Sequence, residues 1–160
     1  MQAYVITLFV HSYLRWVVLV LGVLVFAKAV VTRQRGPGDA RLHRALIGVV
    51  DLQFLIGLAL YVFLSPTTSV FFADPGAAMK VPDLRFFGVE HITGMVLGLA
   101  VLHMGRPRKS PTRRRVLITV GLFLALVLAS IPWPFQSAGR PLLRGISSEP
   151  APAATLQRHP

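Results

Sequence analysis

The sequence predicts an all-α membrane protein, a bundle of four transmembrane helices with the N- and C-termini both on the outer, periplasmic side. Three observations predict this. Hydrophobic residues fill 54% of the 160 positions and mean hydropathy is +0.62, outside the balance of a soluble domain. Four apolar runs approach the roughly 20 residues that a helix needs to cross a hydrocarbon core. Basic residues gather in two of the short connections, the arrangement that sets orientation in a polytopic chain.

Helix 1 is expected over about 5–31, apolar except for His11, Ser12, Arg15 and Lys28. No basic stretch precedes it and Arg15 interrupts it, so it reads as a retained helix rather than a signal peptide. Gly36, Pro37 and Gly38 punctuate the first connection. Helix 2 is expected over about 45–64, with Asp51 and Gln53 inside it and Ser65-Pro66 at its end, where the proline ring removes a backbone donor. Residues 66–85 form a long, nearly neutral connection in which Phe71 and Phe72 are placed to dip into the interface. Helix 3 follows over about 86–104 and carries Glu90, His91 and His103. Helix 4, about 116–131, has no ionisable residue and ends at Pro132-Trp133-Pro134-Phe135, an aromatic stop at the membrane boundary. One membrane domain, 1–146, accounts for these elements. The Pro-, Ala- and Ser-rich stretch 147–160 is expected to be a disordered tail. The chain shows no internal repeat.

The formal net charge of +11 would suit a nucleic-acid binder if it were spread over one face. Instead Arg33, Arg35, Arg41 and Arg44 cluster before helix 2, and Arg106, Arg108, Lys109, Arg113, Arg114 and Arg115 cluster before helix 4. Such clusters hold loops in the cytoplasm and touch anionic headgroups of membrane lipid, so no nucleic-acid partner is expected. Cysteine is absent, which excludes disulfides, thiolate metal sites, iron–sulfur clusters and c-type haem attachment. No HExxH zinc pattern, Gly-rich phosphate loop or Ser/His/Asp constellation is present.

Ionisable residues inside a bilayer are costly and mark function by default. His11 and His91 sit at matched depth, roughly 8–10 Å below the outer boundary at 1.5 Å per residue, on helices that run parallel. Two such histidines can supply the opposite axial ligands of one b-type haem. Gly94 and Gly98 follow His91 at i+3 and i+7, where they would let a flat macrocycle or another backbone approach. Arg15, on or near the His11 face, has a haem propionate or Glu90 as its candidate partner. The alternatives are structural. Gly94-x-x-x-Gly98 is also a helix-packing pattern, the histidines could bond neighbouring carbonyls, and Arg15 with Glu90 could fix helix register. At the inner side His103 and His43 allow a second bis-histidine site, although His43 reads better as a solvated loop residue and His103 as interfacial. Asp51 and Gln53, with Glu90, are candidates for a quinone pocket or a proton path, or for hydrogen bonds between helices.

The strings HSYLRW (11–16), RFFGVEH (85–91), LHMGR (102–106) and IPWPF…GRP (131–141) resemble a group of small four-helix bacterial membrane proteins commonly labelled cytochrome b. The resemblance spans nearly the whole chain apart from the tail. It implies a multi-pass protein of the bacterial inner membrane that binds haem b, one per chain, with His11 and His91 at the positions of the recurrent histidines. In that group helix 2 often carries a histidine near the position of Asp51, so the resemblance leaves a second haem without that ligand. The expectation is an electron-carrying subunit, with quinone as a further cofactor, inside a respiratory or photosynthetic complex or a homo-oligomer. A stand-alone enzyme is not expected. The alternative is a cofactor-free structural subunit of a membrane complex.

Overall fold

The computed structural model describes residues 2–33, 36–106, 112–143 and 145. Among them there is helix and no strand. The elements in order are α1 (Gln2–Val31), α2 (Pro37–Ala59), α3 (Pro66–Ala73), α4 (Pro75–Ala78), α5 (Pro82–Arg85), α6 (His91–Met104) and α7 (Arg113–Ser130). A π-helical turn, Leu60–Leu64, extends α2, and a second, Phe86–Glu90, joins α5 to α6. Three continuous helices are long and apolar enough to cross a membrane: Gln2–Val31, Pro37–Leu64 and Pro82–Met104. The fourth long helix, α7, has 18 residues, of which Arg113, Arg114 and Arg115 form the first turn.

The exposed faces of these helices are as apolar as the buried ones. Val17, Val20, Val23 and Leu24 on α1, and Leu52 and Leu55 on α2, are all exposed. Helices apolar all round are stable only where their outer surface also avoids water, so the chain is membrane-embedded. Packing between helices in that medium rests on close fit rather than on expulsion of water. The fit is visible between α1 and α7, where Val18, Gly22, Val25 and Ala29 face Val116, Val120, Phe123 and Val127. Both stripes step by four, three and four residues, the spacing that keeps a seam on one side of a helix.

Side chains at the basic end of the bundle satisfy helix termini. α2 begins at Pro37, not near 45, because proline suits the first helical position and Asp39 accepts from Gly36 N at 2.8 Å. Lys28 of α1 then pairs with the buried Asp39 at 3.0 Å. Arg113 donates to the carbonyls of Ala29 and Val30 at 2.9 and 3.0 Å, and Arg115 donates to Met104 O. The last carbonyls of α1 and α6 are orphans of their own helices, and the first turn of α7 caps both.

The far end is built differently. Residues 66–85, expected to be an open connection, form three short helices, each with proline in its first turn. Ser65 accepts from Thr68 N and Asp74 from Ala77 N, as helix N-caps do. Phe71, Ala78 and Leu84 form a small core of their own, so Phe71 turns inward, while Phe72 stays exposed. Tyr61 donates to Gly88 O at 2.7 Å and ties α2 to the second π-helical turn. The expected tail, 147–160, lies outside the described residues, as do Arg35, Arg108 and Lys109.

Candidate functional site

All four long helices contribute to one place in the half of the bundle away from the basic end. His11 comes from α1, Gln53 and Gly57 from α2, His91 from α6 and Ser130 from α7. The His11 and His91 rings lie 6.4 Å apart, centre to centre, at 74° to one another. The rings of Phe86 and Phe87 flank His91 at 6.1 and 6.2 Å.

The position of His91 follows from two prolines. In a continuing helix the carbonyls of Leu128 and Ser130 would accept from the N–H groups four residues on, which are the missing ones of Pro132 and Pro134. Both carbonyls find side-chain donors instead. Trp133 Nε1 donates to Leu128 O at 2.8 Å, and His91 Nδ1 donates to Ser130 O at 2.7 Å. A carbonyl can only accept, so the proton of His91 sits on Nδ1 and Nε2 presents its lone pair. This is the orientation that a backbone carbonyl imposes on metal-ligating imidazoles.

His11 is held from α2. Gln53 Nε2 donates to His11 O at 3.0 Å and lies 3.4 Å from His11 Nε2. Gly57 makes room for the ring, since a Cβ there would stand 2.9 Å from His11 Cε1. His11 Nδ1 is buried and has no hydrogen-bond partner, a costly condition for a polar atom.

These observations bear on whether an iron group fits. Two imidazoles sharing one metal, each with a metal–nitrogen bond of about 2.0 Å, place their centres about 6.3 Å apart, close to the separation found. One nitrogen of each ring is uncommitted. Ring separation and donor type are the two points on which the pair agrees with a bis-imidazole iron, the group that the resemblance implies.

The glycines do not take the role expected of them. A Cβ on Gly94 would fall on the Ser130 side chain, and one on Gly98 would touch Phe123 and Val127 at 3.5 and 3.6 Å. Both faces are filled by α7, so Gly94 and Gly98 serve helix packing and give no clearance for a macrocycle. Arg15 donates to Leu142 O at 3.0 Å, beside Trp16 Nε1 on the same carbonyl at 3.2 Å. Glu90 pairs instead with Arg85 at 2.8 Å, so the expected Arg15–Glu90 pair is not formed and Glu90 lies on the exposed rim.

The other candidates also move. His43 is fully buried within α2 rather than solvated in a loop, because the helix starts before it. His103 Nε2 bonds Asp51 Oδ1 at 2.7 Å, which turns it from the boundary toward α2. Gln53 contacts His11 and stands apart from the Asp51–His103 pair in its bonding. Sequence reading missed Gly57 and Ser130. The signal for Ser130 was present in Pro132 and Pro134, which free carbonyls for outside donors. Gly57 carries no local signal, because the side chain it admits is 46 residues away in sequence.

No family model, curated protein or solved structure matches this chain.

Proposed function

We propose that the chain is a b-type cytochrome subunit of a bacterial inner membrane, carrying electrons between quinol and a partner redox protein within a larger complex. The observation that carries this reading is the His11–His91 pair, two imidazoles at the separation of a shared metal with one free nitrogen each. His11 and His91 would hold the iron through their imidazole nitrogens. Ser130 O and Gln53 are positioning groups that hold the two rings from α7 and α2. Arg15, one turn beyond His11 on the same helix, is the propionate partner, because a guanidinium pairs with a carboxylate in fork geometry. A haem held there would accept and release single electrons. Phe86 and Phe87 shield that position from water on the His91 side. The test is a reduced-minus-oxidised spectrum of the purified protein with a pyridine haemochromogen assay. A b-type α-band with about one haem per chain supports the reading, and a folded preparation without haem sinks it.

In this reading all four long helices cross. At 1.5 Å per residue α7 spans about 27 Å, near the roughly 30 Å hydrocarbon core, with its three arginines at the cytoplasmic headgroups. The chain has no cysteine, so single cysteines report sidedness cleanly. Membrane-impermeant maleimide added outside should label Ala77→Cys and Phe135→Cys and spare Arg33→Cys and Arg114→Cys. Labelling of Arg33→Cys and Arg114→Cys with Ala77→Cys and Phe135→Cys spared would overturn the orientation, and labelling of Arg114→Cys together with Phe135→Cys would overturn the fourth crossing.

A cofactor-free packing subunit is the second reading, and one observation favours it. Gly94 and Gly98 are used up by α7, and His91 is satisfied by a carbonyl as any core histidine would be. The same spectrum decides between the two.

A further inference from the structure

Away from the histidine pair, among the described residues, Asp51 of α2 pairs with His103 of α6. His103 lies 12 residues beyond His91, about 18 Å along the helix toward the basic end. It bonds Asp51 while its side chain remains 37% exposed and that of Asp51 43%. The surface around the pair is apolar: Leu52 and Leu55 on α2 and Val96 and Met104 on α6 are exposed. It is also open. Gly48, one turn before Asp51, has nothing within 4 Å of where a Cβ would be, and Ala100, one turn before His103, is exposed. Contact between α2 and α6 is sparser than between α1 and α2 or between α6 and α7. The pair therefore looks out through a lateral seam onto the lipid-facing surface.

We infer that the Asp51–His103 seam is a binding site for the head group of a quinol or quinone entering from the lipid phase. The inference rests on the cytochrome reading for its purpose, and on the following chemistry for its ligand. Polar atoms facing hydrocarbon are costly unless paired. The Nε2–Oδ1 bond satisfies one atom of each side chain, and His103 Nδ1 and Asp51 Oδ2 remain on the open side. The seam opens sideways onto the lipid-facing surface close to the basic end of the bundle, so a partner that enters through it is membrane-soluble and carries a hydrogen-bonding head. With the carboxylate accepting from Nε2–H, Nδ1 and Oδ2 are both acceptors and suit the hydroxyl of a quinol. One added proton on the imidazole makes Nδ1 a donor, which suits a quinone carbonyl. A single pair thus matches both forms of one ligand class, which a fixed amide or hydroxyl does less well. Gly48 and Ala100 leave space beside it for a flat ring.

The test uses the full chain in lipid nanodiscs with a photoreactive azido-quinone, competition by decylubiquinone and peptide mapping. Saturable, competed label is expected within 48–55 and 96–104. The double variant Asp51→Leu/His103→Leu removes both partners together and so leaves no unpaired polar group. It should bind about tenfold more weakly or worse while its circular dichroism and disc insertion match wild type. Label that is scattered and unsaturable, or unchanged in the double variant, overturns the site. So does a Leu55→Cys variant that forms a disulfide between copies, because the seam is then covered by a second chain. The haem spectrum of the same sample separates the two claims. Haem without competed label removes the quinone site and leaves the cytochrome, and competed label without haem does the reverse.

Discussion

At the level of His11 and His91 each imidazole meets neutral partners, the Ser130 carbonyl on one side and the Gln53 amide on the other. Some 18 Å nearer the basic end along the same helix, His103 meets a carboxylate, and the pair opens to the surface. The same side chain is prepared for two tasks. A carbonyl fixes one tautomer and offers the second nitrogen as a lone pair, which suits a metal. A carboxylate supports the imidazole in either protonation state, which suits a ligand that changes between hydrogen-bond donor and acceptor.

The sharpest way to break this comparison is His91→Gln. Glutamine keeps a donor for the Ser130 carbonyl and most of the side-chain volume, yet it lacks the imidazole lone pair. We expect complete loss of the b-type absorbance with insertion and helix content retained. His11→Ala should give the same spectral loss. If His91→Gln retains a normal spectrum, His91 is a packing residue and the difference between the two levels loses its chemical meaning.

Next in size is Gly94. Its Cα lies against Ser130 closely enough that an alanine methyl overlaps the serine side chain. Overpacking of this kind costs about 1–3 kcal/mol, so Gly94→Ala should lower the thermal midpoint in detergent by several degrees. The cost falls on the outer level, because the same contact sets the distance from His91 to the Ser130 carbonyl. The compensating change Ser130→Gly removes the overlap and keeps the carbonyl. Gly94→Ala/Ser130→Gly should therefore recover most of the lost stability, and a double variant as unstable as the single would place the strain elsewhere.

Much of this arrangement was legible in the sequence, and the rest was hidden for physical reasons. Helical spans and the matched depth of His11 and His91 follow from local properties, namely apolar run length and residue rise. The start of α2 was legible in principle, because Pro37 with Asp39 two residues on is a helix-opening pattern, but flanking glycines read as a break. Treating 33–44 as a loop then made His43 a solvated residue, when it lies buried nearly two turns inside the helix. The use of Gly94 and Gly98 was ambiguous by nature, since a flat ligand and a neighbouring helix ask the same thing of a small residue. Pairings across the bundle, His103 with Asp51 or Arg15 with Leu142, depend on helix rotation and on where the segment after α7 folds back. Neither is encoded in spacing along one helix.

Asp39 comes third in expected effect. Its carboxylate holds both Gly36 N and Lys28 at the start of α2 and is itself buried. Asp39→Ala, which removes the acceptor for Gly36 N, should cost about 1 kcal/mol, the usual loss for a helix-start contact. Lys28→Ala should cost less, because the lysine is half exposed and its attraction is screened. Equal effects would mean that the ion pair, rather than the cap, secures this end.

The smallest effect expected is at the opposite end, where Arg140 reaches Asp83 at 3.4 Å and lies over the Phe87 ring at 4.9 Å. Both ionic partners are substantially exposed, so the pair is worth roughly 0.2–1 kcal/mol and weakens with salt. Asp83→Asn removes the ion pair alone, and its small loss in thermal midpoint should vanish when the scan is repeated in high salt. Arg140→Ala removes the ring contact as well, so part of its loss should survive salt. That residue ties the segment after α7 to the ring that flanks His91, and a surviving difference measures how firmly this cover is held over the histidine pair. Identical salt responses for the two variants would show that the ring contact contributes nothing and that the cover is held by Arg15, Trp16 and the Leu142 carbonyl instead.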